Sequence, residues 1–494
     1  MTRDTSPATA SRRRTKLVCT IGPATEHRMD ELERAGMDVA RINFSHGTAA
    51  TRRTAARAVR QTEAASGRPV GILIDLAGPK IRLGDVAGGS IELEAGRPFA
   101  LRAFRKGEPP GNATGAHVSY AGLAADVQVG DRVLLADGAA ELRVTGIAGG
   151  VETEVVRGGT VRSRTGVAIP ADRLSSPALT AKDRADLPLA IELGADLIGQ
   201  SFVRGPDDIR ALRALLGPDG PHIVAKIETR PAVESFDAIL DVVDSVMIAR
   251  GDLGVEVPYE EVPLIQKQLV RRALDRGIPS IVATQMLESM TSSPRPTRAE
   301  ASDVANAVFD GADAIMLSGE TAIGAYPVLA AEAAARIALR CEIGGASQLP
   351  AGMAPSQATD VGALAYAAAA LVTADVSIEA IACYTRTGRT ARILSALRPG
   401  VPIVAFSPDP HVAGRLAVAH GVFARTCAPL AESSDRIGEL DSLLREAQVL
   451  PTDASVVFVT STGTPGSAPD VLAVRHVPAD VGRRSTGRGR PTDA

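Results

Sequence analysis

The sequence predicts an α/β fold in which a (β/α)8 barrel carries an inserted all-β lid domain and is followed by a C-terminal α/β domain. Three observations support this fold. Eight short runs rich in β-branched residues alternate with stretches of helical composition, one interval between runs is far too long for a single β/α unit, and further runs follow the eighth. The length of 494 residues also fits about three domains.

The eight runs are apolar on both faces, as expected for parallel strands covered by helices. Eight β/α units favour closure into a barrel, and an open doubly wound sheet is the alternative. The predicted strands begin at Leu17, Val39, Val70, Asp196, His222, Ser245, Ser280 and Ala314.

An inserted domain is predicted after the third strand. Val70 and Asp196 lie 126 residues apart, whereas the other intervals are 22 to 35 residues. The extra stretch alternates apolar and polar residues between turns, and it leaves the carboxyl end of a strand, so we expect a β-rich lid over the barrel mouth. The predicted boundaries are a flexible N-terminus at 1–14, the barrel at 15–85 and 171–345, the lid at 86–170, the C-terminal α/β domain at 346–478 and a disordered tail at 479–494.

Composition excludes several classes of protein. The net charge is −3 and aromatic residues make up 3%, so neither nucleic acid nor an anionic membrane surface is an expected partner. No apolar run reaches the roughly 18 residues of a membrane span. The four cysteines form no CxxC pair, so no zinc site or disulfide framework is indicated. We expect a soluble, cytoplasmic protein.

Polar residues follow six of the eight predicted strands. In a barrel of this kind the carboxyl ends of the strands form the active site, whereas helix caps and surface turns are the structural alternative for any single one of them. In strand order the residues are Arg41, Asn43, Ser45 and His46; Asp75, Lys80 and Arg82; Lys226 and Glu228; Arg250, Gly251 and Asp252; Thr284 and Gln285; and Ser318 and Glu320.

The charges among these residues predict a metal-bridged phosphate. Glu228 and Asp252 offer the oxygen ligands that Mg²⁺ takes from proteins. Lys226 lies two residues before Glu228, which places both side chains on one face of a strand, although a plain ion pair between them is the alternative. Arg41 adds a donor suited to phosphate oxygens. No G-x-x-x-x-G-K-[ST] loop is present, so a P-loop enzyme is excluded.

Several long motifs identify a family resemblance. TKLVCTIGPAT (15–25), AGMDVARINFSHG (35–47), ARGDLGVEVP (249–258), ATQMLESM (283–290) and the run 294–327 closely resemble pyruvate kinase, and the likeness extends from about Thr15 to Pro478. It implies a homotetrameric enzyme of the last step of glycolysis, which converts phosphoenolpyruvate and ADP to pyruvate and ATP with Mg²⁺ or Mn²⁺.

The resemblance also implies residue roles. Glu228 and Asp252 would bind the metal, and Lys226 would stabilise the phosphoryl group during transfer. Arg41 would hold the phosphate, while Gly251, Asp252 and Thr284 would receive the substrate carboxylate. Asn43, Ser45, His46 and Arg82 resemble the nucleotide-phosphate corner. Thr284, Ser318 and Glu320 lie where the family relays a proton, with no single donor evident.

The chain departs from the family pattern in the lid. Thr165 and Ala168 stand where members usually carry lysine and asparagine, and Ala136 and Asp137 replace a pair of aspartates. Arg164 offers a charge one residue away, but alternation along a strand would turn it to the other face. We therefore expect weaker nucleotide contact from the lid.

A second departure is Lys80, where many members have glutamate. Such members use K⁺, held by the residues matching Asn43, Ser45, Asp75 and the carbonyl of Leu76. Lysine carries the same unit charge, and its ammonium is expected to occupy the place of the ion and to satisfy Asp75 directly. K⁺ is therefore not expected to be required.

The last domain resembles the regulatory domain of the family. The segment Thr385, Arg386, Thr387, Gly388, Arg389 and Thr390 follows a strand and opens a helix, so it is expected to cradle a sugar-phosphate or nucleotide effector, with the turn near Gly466 closing the pocket. An ordinary helix start is the alternative. Two other functions stay open: a catalytically impaired metabolite sensor, or another metal-dependent barrel acting on phosphoenolpyruvate or pyruvate, including aldol-type lyases.

Overall fold

A computed structural model describes residues 13–105, 107–345, 360–430, 435–447, 454–461 and 469–477. The first twelve residues of the predicted N-terminal segment, the predicted tail at 479–494 and the turn near Gly466 lie outside these ranges. Within the described ranges, no helix is both long and apolar enough to cross a membrane.

The first three β/α units begin the barrel. Their elements are β1 (Lys16–Thr20), α1 (Met29–Arg34), β2 (Val39–Asn43), α2 (Ala49–Ser66) and β3 (Gly71–Asp75). Helix α2 starts at a capping box, in which the side chains of Thr48 and Thr51 each accept from the other's main-chain amide. It ends at Gly67, whose φ of 63° is the left-handed conformation that glycine adopts without strain.

The inserted stretch forms a separate β domain. Its elements are β4 (Ile81–Arg82), β5 (Ser90–Leu93), β6 (Pro98–Ala103), β7 (Gly115–Val118), α3 (Leu123–Asp126), β8 (Arg132–Leu135), β9 (Ala140–Gly146), β10 (Val151–Arg157), β11 (Gly159–Arg162) and β12 (Gly166–Ala168). Seven strands form one sheet in the order β4-β12-β8-β9-β10-β6-β7, and β5 pairs with β11. Because Ile81 pairs with Val167, the sheet takes in residues ahead of the expected boundary at 86.

The remaining five units complete the barrel. Their elements are α4 (Ala181–Glu192), β13 (Leu197–Gln200), α5 (Pro206–Leu216), β14 (His222–Ile227), α6 (Arg230–Glu234), α7 (Phe236–Leu240), β15 (Ser245–Ala249), α8 (Arg250–Glu256), α9 (Val262–Asp275), β16 (Ser280–Ala283), α10 (Arg298–Asp310), β17 (Ala314–Leu317), α11 (Gly319–Ala322) and α12 (Pro327–Gly344).

The eight parallel strands close into a barrel. The strands follow one another around the barrel in chain order, and β17 pairs with β1 to complete the ring. The prediction of a closed barrel is confirmed, and the alternative of an open sheet is wrong. Alternation along each strand sends Val18 into the barrel interior with Leu73 and Met247, while Leu17 and Cys19 pack outward against the helices.

The C-terminal domain is a five-stranded α/β unit. Its elements are α13 (Asp360–Ala374), β18 (Ile378–Tyr384), α14 (Arg389–Ala396), β19 (Ile403–Ser407), α15 (Pro410–Leu416), β20 (Val422–Thr426), α16 (Arg436–Glu446), β21 (Ala454–Thr460) and β22 (Val471–Val477). The strand order is β20-β19-β18-β21-β22, and only β22 runs antiparallel to its neighbour.

The C-terminal domain seals the base of the barrel. Ala417 and Val418 belong to the same apolar cluster as the interior-facing residues of the barrel strands. Arg398 reaches back to Asp313 at 3.1 Å, and His411 to Asp196 at 3.3 Å. The amino ends of the strands are therefore covered, and the carboxyl ends face the lid.

Candidate active site

Lys226 lies at the centre of the charged groups at the barrel mouth. Its side chain is 10% exposed, and its ammonium is 2.8 Å from Glu228 Oε1 and 3.2 Å from Asp75 Oδ1. It donates a hydrogen bond to Ser201 Oγ at 2.7 Å. The shared strand face therefore brings Lys226 and Glu228 together as expected, and the end of β3 supplies a second carboxylate.

Arg41 is the second cation of this cluster. Its Nε and Nη2 both donate to Asp75 Oδ2, at 2.8 and 2.5 Å, and its Nη1 donates to Thr20 Oγ1 at 2.9 Å. Asp75 is 1% exposed, so its carboxylate is neutralised by two buried cations rather than by water. Asp75 therefore holds the side chains of Arg41 and Lys226 close together at the barrel mouth.

The cluster fixes the charge of each member. Burial acts to lower the pKa of Lys226, but Asp75 and Glu228 outweigh it and raise that pKa well above its usual range. Burial acts to raise the pKa of Asp75, and Lys226 and Arg41 reverse this and lower it. At neutral pH, Lys226 is therefore a cation and Asp75 an anion.

Glu228 and Asp252 fit a divalent metal. Glu228 Oε2 accepts from the Phe202 amide at 2.8 Å, and Oε1 is paired with the Lys226 ammonium at 2.8 Å. Burial raises the pKa of Glu228, Lys226 opposes this, and nearby Asp252 adds to it. Among the described residues no group of three His, Cys, Asp or Glu side chains could hold a metal alone. Two carboxylates with substrate oxygens are the donor set that Mg²⁺ accepts.

Lys80 does not contact Asp75, which corrects the expectation from the sequence. Its ammonium lies 3.0 Å from Asp252 Oδ1, and its side chain is 34% exposed. The reason is that Arg41 and Lys226 already occupy both oxygens of Asp75, deep at the end of β3, while Lys80 lies at the edge of the lid. The other expected ligands of the cation corner are also engaged, since Asn43 Oδ1 accepts from Ser45 N and the Leu76 carbonyl from Ser201 Oγ.

Thr284 and Gly251 meet between the ends of β15 and β16. The Gly251 amide donates to Thr284 Oγ1 at 2.8 Å, and this hydroxyl donates to the Ala283 carbonyl at 2.6 Å. Thr284 has φ of 68° and Gln285 has φ of 55°. A β-branched residue in this left-handed region is strained, and such strain is common at functional sites.

Ser318 and Glu320 take different positions after β17. Ser318 lines the same cavity as Thr284, and its Oγ is buried without a hydrogen-bond partner in the described structure. Glu320 is fully buried, and its two oxygens accept from the amides of Leu287 and Ser318 at 3.0 and 2.7 Å. Glu320 therefore joins two loops beneath the cavity, and Ser318 is the group that faces it.

Part of the expected nucleotide corner lines a cavity of about 660 Å³. Arg41, Asn43 and His46 lie on its wall together with Thr284 and Ser318. Ser45 is exposed beside it, and Arg82 donates to the Arg164 carbonyl at 3.2 Å. Burial lowers the pKa of His46, and Arg82, Arg41 and Lys80 lower it further, so its imidazole is neutral at pH 7.

The lid reaches the opposite side of the mouth. Asp137, Lys80 and Asp252 line a second cavity, of about 600 Å³. Ala168 lines a small gap together with Glu228. Thr165 is half-buried, whereas Arg164 lies in the turn between β11 and β12, with φ of 64°, and pairs with the exposed Asp85 at 3.1 Å.

The segment expected to bind an effector forms a pocket of about 580 Å³ in the C-terminal domain. It follows β18, and the Gly388 amide donates to Thr385 Oγ1 at 3.0 Å, which closes the turn into α14. Gly388 itself has φ of 80°. The other residues of the segment that line the pocket are Arg386, Thr387, Arg389 and Thr390.

Two residues of these sites were not identified from the sequence. Ser201 accepts from Lys226, and its signal was a polar residue directly after β13. Arg436 lines the C-terminal pocket from α16 and donates to the carbonyl and hydroxyl of Ser461 at 2.9 and 2.7 Å. No local pattern distinguishes Arg436 from the many other arginines of the chain.

Known proteins resemble this chain in both sequence and fold. Two family models match the chain, the barrel domain of pyruvate kinase over residues 12–331 and the alpha/beta domain of pyruvate kinase over residues 363–474. A pyruvate kinase of Bacillus licheniformis is 40% identical over 493 residues, covering 97% of this chain and 83% of that protein. One of Mycobacterium tuberculosis is 41% identical over 477 residues, covering 95% of this chain and 99% of that protein.

A solved structure agrees with these relatives. The crystal structure of a pyruvate kinase from Cryptosporidium parvum matches with a TM-score of 0.83 and 33% identity, covering 94% of this chain and 96% of that one. The match extends over the barrel, the lid and the C-terminal domain together. The chain therefore belongs to the pyruvate kinase family.

Proposed function

We propose that the protein transfers the phosphoryl group of phosphoenolpyruvate to ADP, giving pyruvate and ATP, and that Lys226 stabilises the group during transfer. The observation that carries this proposal is the buried cluster of Lys226, Arg41, Asp75 and Glu228 at the barrel mouth, open on one side to the cavities. Phosphoryl transfer is catalysed mainly by alignment and by charge neutralisation, and this cluster is built for both.

Arg41 and Lys226 act on the phosphate. Asp75 orients both side chains, so neither has to reorganise when negative charge spreads over the transferring group. Glu228 and Asp252 would hold a divalent metal, Mg²⁺ or Mn²⁺, which when bound neutralises phosphate oxygens. Glu228 and Asp252 line the same gap at the barrel mouth, which supports this assignment.

Gly251, Asp252 and Thr284 receive the carboxylate of the substrate. Gly251 and Asp252 lie in the first turn of α8, where main-chain N–H groups favour an anion, and the Gly251 amide holds Thr284 Oγ1 against this turn. When the phosphoryl group leaves, the enolate must take one proton on its methylene carbon. The hydroxyls of Thr284 and Ser318 lie in one cavity with Arg41, and they are the groups placed to pass that proton on.

Lys80 makes the reaction independent of K⁺. Its ammonium lies beside Asp252 rather than among Asn43, Ser45 and Asp75, so it supplies the charge of a monovalent cation at the mouth without taking the position of that ion.

Three further properties follow from the family. The pocket of Thr385 to Thr390 takes a sugar-phosphate or nucleotide effector, to which Arg386 and Arg389 offer cationic groups. The working enzyme is a homotetramer, and it acts in the cytoplasm. The lid gives weak nucleotide contact because Thr165 provides a hydroxyl in place of an ammonium.

One assay tests the activity. Purified protein is supplied with phosphoenolpyruvate, ADP and Mg²⁺, and pyruvate is followed by coupled oxidation of NADH, with Lys226→Met as the matched control. We expect ADP-dependent pyruvate formation that the control loses. Phosphoenolpyruvate binding without turnover would favour the impaired sensor. Pyruvate release from a 2-oxo acid aldol in the absence of ADP would favour an aldol-type lyase.

A further inference from the structure

Arg250 is a nearly buried arginine at the barrel mouth that the proposed mechanism does not use. It is the first residue of α8, two residues ahead of Asp252, and its side chain is 10% exposed. Arg250 directly follows β15, so it lies, like Arg41, at the carboxyl end of a barrel strand. Its hydrogen bonds give it a different role from that of Arg41.

All five N–H groups of this guanidinium have partners within the protein. Nε donates to the Ala283 carbonyl at 3.4 Å, and Nη1 donates to Asp303 Oδ1 at 2.7 Å and to Gln266 Oε1 at 3.3 Å. Nη2 donates to the Thr284 carbonyl at 2.6 Å and to the sulfur of Met286 at 2.9 Å. Arg250 therefore has no donor left for a substrate anion.

Arg250 donates to the carbonyl groups of Ala283 and Thr284, which lie just before and within the strained part of the chain. Thr284 and Gln285 have φ of 68° and 55°, a region that side-chain-bearing residues avoid unless the surroundings impose it. The Thr284 carbonyl belongs to the peptide that joins them. The shortest main-chain hydrogen bond of Arg250 thus acts on the peptide between the two left-handed residues.

The two loop ends hold each other reciprocally. The side chain of Arg250 donates to the main chain of Thr284, and the main chain of Gly251 donates to the side chain of Thr284 at 2.8 Å. Asp303 on α10 and Gln266 on α9 fix the guanidinium from outside the barrel. The position of the Thr284 hydroxyl therefore depends on Arg250, and through it on two outer helices.

We propose that Arg250 is a positioning residue for phosphoryl transfer, which holds Thr284 and Gln285 in the left-handed conformation and so fixes the Thr284 hydroxyl against Gly251. The inference rests on the proposed role of Thr284 at the substrate. It assigns no substrate contact to Arg250, and it explains why a strained threonine persists at the end of β16.

A double-mutant cycle between Arg250 and Gln285 tests the proposal. Glycine adopts the left-handed conformation without strain, so in Gln285→Gly residue 285 depends less on Arg250 to keep that conformation. We expect Arg250→Met to lower kcat by about a hundredfold with KM for phosphoenolpyruvate changed by less than about threefold, since misplacing a catalytic group has costs of this size. We expect Gln285→Gly to recover about tenfold of kcat in the Arg250→Met background, measured relative to the effect of Gln285→Gly alone.

The matched control is Arg272→Met on α9, whose ion pair with Asp237 at 2.9 Å lies on the outer helices. It should leave kcat unchanged, and the thermal midpoints of both arginine variants show whether they fold. Two results would overturn the proposal: losses that simply multiply in the double mutant, or an Arg250→Met enzyme with raised KM for phosphoenolpyruvate and normal kcat.

The premise is tested separately with Thr284→Val. A normal kcat in that variant would overturn the inference about Arg250, while the activity of the unmutated protein in the coupled assay would still stand. A loss of kcat in Thr284→Val, together with recovery in the double mutant, is the result expected here.

Discussion

The barrel has a buried lysine at each end, and the two are held in opposite ways. Lys16 at the base is 2% exposed, donates to the Val422 carbonyl at 2.5 Å and lies 4.3 Å from the centre of the Phe423 ring. Its nearest carboxylate, Asp38, is 3.8 Å away. Burial therefore lowers the pKa of Lys16 to about 8, whereas two close carboxylates raise the pKa of Lys226.

The contrast shows that burial of a charge does not by itself mark a catalytic site. At the base, Asp38 is shared by Arg13, Arg68 and the Leu17 amide, and the C-terminal domain covers the group. At the mouth, the Ser318 hydroxyl is buried without a hydrogen-bond partner among the described residues, and cavities adjoin Arg41 and Asp252. Open space beside charged groups and an unpartnered hydroxyl distinguishes the reactive end from the covered one.

Among the responses to ions, nucleotide and pH, the largest effect is expected from the carboxylates at the mouth. Glu228→Gln and Asp252→Asn each remove one anionic ligand, so the Mg²⁺ concentration for half-maximal activity should rise by at least about tenfold. Asp137→Asn is the matched control, because Asp137 lines the same cavity as Asp252 from the lid. Asp252→Asn with an unchanged Mg²⁺ titration would remove Asp252 from the metal site.

Exchange of the lysine at the lid edge should create a requirement for K⁺. Lys80→Glu deletes the cation beside Asp252 and adds a second anion, so K⁺ at constant ionic strength should stimulate the variant by about tenfold or more, because the missing charge must be replaced. The unmutated enzyme should respond by less than about twofold. Tetramethylammonium chloride serves as the control salt. Strong stimulation of the unmutated enzyme by K⁺ contradicts the role of Lys80.

A smaller gain is expected in the lid. Thr165→Lys places a charge where the nucleotide phosphates are expected, and KM for ADP should fall by about two- to fivefold, the effect of one partly exposed charge. Arg164→Ala is the matched control, since Arg164 pairs with exposed Asp85 and should leave KM for ADP unchanged. An unchanged or raised KM in Thr165→Lys would show that this position does not face the nucleotide.

The smallest effect concerns stability at the base. The folded-state pKa of Lys16 is about 8, below its ordinary value of 10.5, so the folded protein binds fewer protons between these pH values than the unfolded chain. The free energy of unfolding therefore gains from Lys16 as pH rises through this window and loses as pH falls towards 8. Lys16→Met should flatten this dependence by roughly 3 kcal/mol between pH 7 and 11, measured by urea unfolding. An equal slope in both proteins would contradict the assignment.

The barrel was predictable because its strands carry a local signal. Runs such as those at Val39 and Ser245 are apolar on both faces, and each observed strand begins within one residue of its expected start. Lys226 and Glu228 were predictable for the same reason, since alternation along β14 fixes their common face.

Partners across elements were not predictable from local pattern. Lys80 pairs with Asp252 because the lid edge lies over α8, a fact that depends on the placement of two domains. Glu320 follows a strand as Ser318 does, yet main-chain amides occupy its oxygens. The five N–H groups of Arg250 likewise find their acceptors on β16, on the loop after it and on two helices.

The most direct test of the central contrast compares Lys226→Met with Lys16→Met in the coupled assay, with circular dichroism to confirm that both variants fold. Lys226→Met should lower kcat by about a thousandfold, because it removes a preorganised cation from the transferring phosphoryl group. Lys16→Met should keep kcat within about threefold, because Lys16 lies at the amino end of β1, at the opposite end of the barrel from the proposed substrate site. Equal losses in the two variants, or a Lys226→Met enzyme that keeps most of its turnover, would contradict the account.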